Sequence, residues 1–293
     1  MRLINSSVEI IKQGDTLLDI YKHIEKAGRV SYKSEDRITE DSAEKFCQML
    51  INRGHLCPLE QGTVYLTVDF TNAFTGDMHD MELKYSMNPY SRVVATGAGI
   101  YITTNMRVLI ENNWLDDLKW LTEAKEAHEK RVTAKFICSR DISLELVRHR
   151  VFSYVQESSR YCNYIKSKFN SQITFIIPSD IELNVGEYRS SIHTWENINT
   201  RDTFSRDCND PICMFLDGLQ DSERNYFNLI QSGWRPEQAR RVLVGDTKTE
   251  IMMTGFEDDF KHFFDLRCDS AAHPDMRKLA IELKEKFNEK YNF

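Results

Sequence analysis

Arg148, His149 and Arg150 stand side by side, and Ser153, Gln156, Ser158, Ser159 and Arg160 follow close behind. Guanidinium groups are planar, permanently charged and present paired donors that match phosphate and carboxylate oxygens. Each would need a partner to offset its desolvation if it were buried. A merely solvated basic face would favour Lys and would not be flanked by Leu146-Val147 and Val151-Phe152. The residue types therefore suit a pocket for a phosphate-bearing small molecule. A salt-bridged helix end uses the same residues, and chemistry alone leaves both readings open.

The rest of the chain narrows the choice. Its 293 residues carry a formal charge of -7, which argues against binding nucleic acid or a membrane surface through bulk charge. An anionic ligand must then be held by a local cluster such as 148–160. An apolar share of 41%, with sixteen Phe and twelve Tyr, is ample for a sizeable core. Seven Cys without a Cys-x-x-Cys spacing suit reduced thiols in a cytosolic protein and not a zinc site. No signal-peptide core opens the chain and no apolar run approaches ~18 residues, so a soluble protein without a membrane span is expected. The expected location is the cytoplasm, that of the host if the chain is viral.

Isolated candidates lie outside the cluster. His55 follows Gly54 on an expected loop, where a ring can reach a ligand, although a lone His more often only packs. Arg267 is surrounded by Phe263, Phe264 and Leu266 and so requires a salt bridge or a ligand. Arg240 beside Arg241 reads equally as a helix-surface residue. Ser158 has no base patterned beside it and reads as a hydrogen-bond donor, not a nucleophile. Met252-Met253 reads as core, and His273 before Pro274 as a helix-start contact.

The elements that must position these residues follow from periodicity. Strands are expected at 1–13, 63–70, 132–138, 173–177 and 248–254. Helices are expected at 17–27, from 42 to the stop at Gly54, and at 105–130, 211–232, 256–267 and 274–287, with another opening at Pro236. Residues 28–32 read as a turn, 71–103 as a long excursion and 179–207 as polar and weakly patterned. Asp141 is the expected N-cap of a helix over 142–150 that delivers the Arg-His-Arg triplet near its end, and 151–164 the loop beyond. Helices and strands do not alternate strictly, which indicates an α+β fold in a single domain over 1–293.

The central stretch resembles the signature of the flavin-dependent thymidylate synthases. That signature is Arg-His-Arg, seven residues, Ser, then after one residue Arg-Tyr; here it is Arg148-His149-Arg150, Ser158 and Arg160-Tyr161. Ala27-Gly28-Arg29-Val30-Ser31 resembles the family's Ala-Arg-Val-Ser block. Gly54-His55 through Pro58-Leu59-Glu60 resembles its Gly-His-x-x-Pro-Phe-Glu loop. Ala239-Arg240-Arg241-Val242-Leu243, His262 through Arg267, and Ala272-His273-Pro274 resemble its C-terminal half. These blocks reach from residue 27 to about 277, and 71–131 is extra relative to the smallest members.

The resemblance implies C5 methylation of dUMP to dTMP, with methylenetetrahydrofolate as carbon donor, NADPH as reductant and FAD as cofactor. It implies a helix-flanked, mainly antiparallel sheet and a homotetramer with shared active sites. By matching positions, His55, Arg148, His149, Arg150, Gln156 and His262 would contact FAD. Ser158, Arg160, Arg240, Arg267, Gln156 and Glu145 would contact dUMP, with Arg267 as the catalytic residue beside the uracil ring. Stabilising negative charge on the uracil O4/N3 side is a task for an Arg. The unrelated synthase class uses a Pro-Cys-His nucleophile, and no such triplet occurs here.

The pattern has departures. Glu145 stands where smaller members have Gln, and Gln156 where many have Glu. Val155 replaces a polar residue and Val244 a Pro. Phe256 stands for an expected flavin-contacting Asn and Asp258 for an Arg, so no flavin contact is carried to those two. Two other readings stay open: a related C5 modification of another uridine nucleotide, such as a UMP methylase or hydroxymethylase, and a non-catalytic nucleotide- or RNA-binding module.

Overall fold

The computed structural model describes residues 1–71, 75–207 and 209–291; Cys208 lies outside them. In chain order the elements are β1 (Arg2–Ile4), β2 (Ser7–Ile11), α1 (Leu17–Tyr32), α2 (Ser42–Asn52), β3 (Thr63–Asp69), α3 (Thr75–Ser86), β4 (Arg92–Thr96), β5 (Gly99–Asn105), α4 (Met106–Glu111), β6 (Arg131–Ser139) and α5 (Arg140–Leu146). There follow β7 (Ser153–Gln156), β8 (Thr174–Ile176), β9 (Gly186–Ser190), β10 (Thr194–Asn197), β11 (Thr203–Ser205), α6 (Pro211–Gln231), α7 (Pro236–Ala239), β12 (Lys248–Phe256), α8 (Glu257–Arg267) and α9 (Pro274–Tyr291).

The fold is α+β and mainly antiparallel, divided among three sheets instead of the single one expected. Their strand orders are β2-β6-β12-β7, β11-β10-β9-β1-β8 and β3-β5-β4, with β1 and β8 pairing in parallel. The four-stranded sheet positions the signature residues. β12 is buried along nearly its whole length and pairs with β6 from Lys248↔Ser139 to Phe256↔Arg131. Because strand side chains alternate faces, Ile251 and Met253 enter the core with Phe260, Phe263 and Leu279, while Met252 packs on Ile11, Ala27 and Val30. The two methionines are both core, on opposite faces.

Several sequence expectations are corrected. Residues 1–13 form two strands in different sheets. Residues 28–32 are not a turn: α1 runs through Tyr32 and ends at Lys33 in the left-handed conformation, φ 47°. Gly28 is there for close approach to α2, since a Cβ would stand 2.6 Å from the Phe46 ring. The expected excursion is regular. Met78, Met81 and Tyr85 of α3 are buried, and β5 pairs with β3 from Thr63↔Asn105 to Asp69↔Gly99. This segment shares a core with Ile20, Ile24 and Leu50 of α1 and α2. The expected helix at 105–130 reduces to α4 and a 3-10 turn at Leu115–Trp120. Residues 179–207 contain β9, β10 and β11.

The correction that matters most concerns α5. Ser139, not Asp141, is its N-cap, with Oγ accepting from the Ile142 N–H at 3.2 Å. The helix ends at Leu146, and Arg148-His149-Arg150 lies in the turn beyond it. Tyr154 pins that turn by donating its hydroxyl to the carbonyls of Leu146 and His149. Residues 153–156 are not loop but β7, the edge strand beside β12, in register from Ser153↔Thr254 to Gln156↔Ile251.

Candidate active site

β7 separates the two parts of the signature. Arg148–Arg150 precede its first residue and Ser158–Arg160 follow its last, so the two groups lie toward opposite ends of one short strand.

Along the outer edge of β7 runs a cleft of about 640 Å³. The end of α1 (Ser31, Tyr32), the 54–58 loop and Tyr154, Val155, Gln156, Ser158 and Tyr161 line it. Gly54 shapes the loop with φ 67°, and the His55 N–H is held by the Leu50 carbonyl at 2.9 Å. The Cys57 thiol ties the loop to β7 through the Tyr154 carbonyl at 3.2 Å, and the Ser158 N–H ties its turn to the Ser31 carbonyl at 3.0 Å. Leu50, Leu56 and Pro58 supply apolar wall, and Tyr32 and Tyr161 pair at 5.2 Å between ring centres. The volume and lining suit a planar aromatic group with polar substituents.

A second cleft of about 270 Å³ shares Gln156 and Ser158 with the first. Its walls include Arg140, Glu157, Ser159, Tyr164, Arg240, Lys248 and Thr249. Arg140 and Arg240 each donate from a guanidinium nitrogen to the Ser159 hydroxyl, at 3.2 and 3.3 Å. Two like charges that share one neutral hydroxyl repel each other. Neither guanidinium has a carboxylate partner among the described residues. Gln156 is oriented by its neighbours. The Ser143 hydroxyl spends its proton on the Arg140 carbonyl at 2.6 Å and so accepts from the Gln156 amide nitrogen at 2.8 Å. The same nitrogen donates to Thr249 at 3.1 Å, leaving the amide oxygen for a ligand N–H.

Glu157 and Lys248 of this cleft wall belong to a largely buried ion cluster. Glu250 accepts from Lys33 at 2.7 Å and from Lys248, which also holds Glu157 at 2.9 Å. Lys135 stands 2.9 Å from the other Glu250 oxygen, an ion pair without hydrogen-bond alignment. Burial opposes ionisation of Glu250, but Lys248 and Lys33 outweigh it and hold the carboxyl well below the usual carboxylate range.

At the other end of β7, Arg267 of α8 donates to the Glu145 carboxylate at 2.7 Å, to the Glu145 carbonyl at 3.2 Å and to Nε2 of His149 at 2.9 Å. His149 is 9% exposed and its ring packs 5.1 Å from that of Phe263. Burial, then the charge of Arg267 and the ring of His262, push its pKa down to about 4. The ring is neutral at physiological pH and accepts at Nε2, so its proton sits on Nδ1. Arg148 and Arg150 flank it, exposed and without an ion pair among the described residues. His262 is exposed nearby.

One chain thus gathers its candidates into two groups. Gln156, Ser158 and His55 share the large cleft; Gln156, Ser158 and Arg240 share the small one. Glu145, His149 and Arg267 meet at the far end with Arg148, Arg150 and His262 around them. Arg160 is exposed, with its guanidinium 5.6 Å from the Tyr161 ring centre. Sequence reasoning missed Arg140, Lys248 and the Tyr32–Tyr161 pair. Arg140 was visible only as a residue between the expected strand at 132–138 and the expected helix at 142–150, with no sign that Arg240, a hundred residues on, converges on the same hydroxyl. Phe256 is capped by Arg92 of β4 at 4.0 Å, and Asp258 and Asp259 pair with that same arginine.

Residues 129–291 match the model of a family described as thymidylate synthase complementing protein. That span holds every candidate named above except Tyr32 and His55. The flavin-dependent thymidylate synthase of Pyrococcus furiosus is 29% identical over 148 residues, 50% of this chain and 50% of that protein. That of Clostridium tetani is 26% identical over 228 residues, 69% of this chain and 78% of that one. The chain spans about half the length of the first of these relatives. Among solved structures, a UMP/dUMP methylase of Streptomyces cacaoi bound with 5-bromo-dUMP aligns with a TM-score of 0.44 at 17% identity, over 99% of this chain and 93% of that one.

Proposed function

This chain belongs to the thymidylate synthase complementing protein family, and we propose that it methylates dUMP at C5 to give dTMP. The observation that carries the reading is that Gln156 and Ser158 line two adjoining clefts, one large with aromatic and apolar walls, one small and cationic. A flavin and a pyrimidine monophosphate held on either side of these residues would be brought together for transfer. Methylenetetrahydrofolate supplies the carbon, C5 of uracil loses its proton, and the two electrons that complete the methyl group come from NADPH. Bound FAD would supply the hydride chemistry.

In this reading His55, Arg148, His149, Arg150, Gln156 and His262 hold FAD. Ser158, Arg160, Arg240, Arg267, Gln156 and Glu145 hold dUMP, with Arg267 stabilising charge on the ring. The free amide oxygen of Gln156 suits the uracil N3–H. Neutral His149 offers a hydrogen bond without adding a third charge between two arginines.

Two features support association into an assembly with shared sites, which this reading takes to be a homotetramer. The candidates divide into two groups within one chain, and Leu144, Val147, Val151 and Leu266 are exposed beside the Arg-His-Arg turn, at 64%, 39%, 64% and 51%. A second copy that covers these apolar residues would bring its own half of the residues to the site. The whole of 1–293, including 71–131, is read as one catalytic unit.

The test is purification followed by absorbance and tritium release. A flavin band and release of tritium from position 5 of dUMP are expected. Colourless protein that binds a nucleotide without turnover would leave a binding module, and release from UMP alone would move the substrate.

A further inference from the structure

We propose that Arg140, a residue outside the signature, anchors the phosphate dianion of the nucleotide jointly with Arg240. The inference rests on the function proposed above and names the group that fills the small cleft.

Arg140 opens α5 and Arg240 opens the 3-10 turn after α7, so two distant segments deliver their side chains to one point. Both positions are backed by the scaffold. The Arg140 N–H is held by the Thr247 carbonyl at 3.1 Å, and the turn carrying Arg240 is pinned by the Ser222 hydroxyl on the Val242 carbonyl at 2.8 Å. The two guanidiniums converge on a neutral oxygen, Ser159 Oγ, in a protein with carboxylates in excess. Each carries more N–H donors than one hydroxyl can satisfy, and a negative charge placed between them would offset their mutual repulsion. The carboxylate in the wall, Glu157, does not serve, because Lys248 holds it at 2.9 Å. What remains is a recess of about 270 Å³ with donors from two guanidiniums, Tyr164 and Thr249 in its walls. A compact tetrahedral dianion suits that donor set, and the adjoining Gln156 and Ser158 leave the nucleoside facing the large cleft.

The experiment is calorimetric titration of the full chain with dUMP, deoxyuridine and inorganic phosphate, for wild type, Arg140→Gln and Arg140→Lys. Arg140→Gln is expected to weaken dUMP roughly 10- to 100-fold and to abolish phosphate binding, with deoxyuridine affinity unchanged. Arg140→Lys should recover part of the loss, since it restores charge without the fork. Unchanged dUMP affinity in Arg140→Gln overturns the proposal, as does equal weakening of dUMP and deoxyuridine. A melting temperature within a few degrees of wild type checks that the variant is folded; if it is not, Arg140→Lys carries the comparison. Should wild type bind phosphate but no uridine nucleotide, the proposed methylation falls while the phosphate titrations of Arg140→Gln still decide this assignment.

Discussion

Arg267 donates from Nε to Nε2 of His149 at 2.9 Å, so the middle residue of the Arg-His-Arg triplet is a hydrogen-bond acceptor and not a third cation. That bond joins α8 to the turn after α5 across 118 residues of sequence, and the Glu145 carboxylate completes the junction at 2.7 Å. The residue proposed to act on the uracil ring is therefore also a structural clasp.

Arg267→Ala removes both roles. Turnover is expected to fall at least about 100-fold, the scale of losing one preorganised charge at the reacting centre. Because Glu145 loses its partner in a partly buried setting, stability should also drop by roughly 1–3 kcal/mol. Tritium release and urea unfolding measure the two separately. A wild-type rate in the folded variant would refute the assignment of Arg267.

His149 and His23 both have pKa values pushed down to about 4, chiefly by burial. For each, the unfolded chain takes up a proton near pH 6.5 that the folded chain refuses until about pH 4. Their stabilising contribution is complete above pH 6.5 and is lost as pH falls toward 4. Unfolding free energy should drop by roughly 2 kcal/mol for each between pH 7 and pH 5. His149→Gln, which keeps an acceptor for Arg267, should remove about half of that drop. A pH dependence identical to wild type would contradict the neutral ring.

Glu250→Gln removes the counter-charge shared by Lys33, Lys135 and Lys248, leaving Lys33 with Glu35 and Lys248 with Glu157. Breaking a buried ion pair from one side costs about 3–5 kcal/mol, and the same change loosens the strand that bears Thr249 and the cleft wall at Lys248. Urea midpoints should shift accordingly. A loss well below 1 kcal/mol would mean that water enters the cluster and screens it.

If the two groups of residues belong to one site only when chains associate, inactive variants should complement. Arg240→Ala and Arg267→Ala, each inactive alone, are expected to regain up to about a quarter of wild-type activity after mixing and subunit exchange. A mixture as inactive as its parents would place both residues in a site built by one chain.

Legibility followed the range of the interactions. The strand at 248–254, the helix over 211–232 and the Gly54 stop were visible because burial periodicity and caps are local. The turn expected at 28–32 was not a turn, because the reason for Gly28 is a ring on another helix. The start of α5 was misplaced because Ser139 and Asp141 are both residue types that cap a helix, and the folded chain uses Ser139.

By itself the sequence determined the α+β character, the cationic stretch within an acidic chain, and the ordered blocks that place it in its family. These depend on residue type and short spacing. The tertiary structure alone decided that β7 divides the signature in two, that His149 is neutral, and that Arg140 meets Arg240 over one hydroxyl. Each of these depends on groups far apart in sequence brought within a few ångströms, where burial and Coulomb interaction act on distance in space and not on order along the chain.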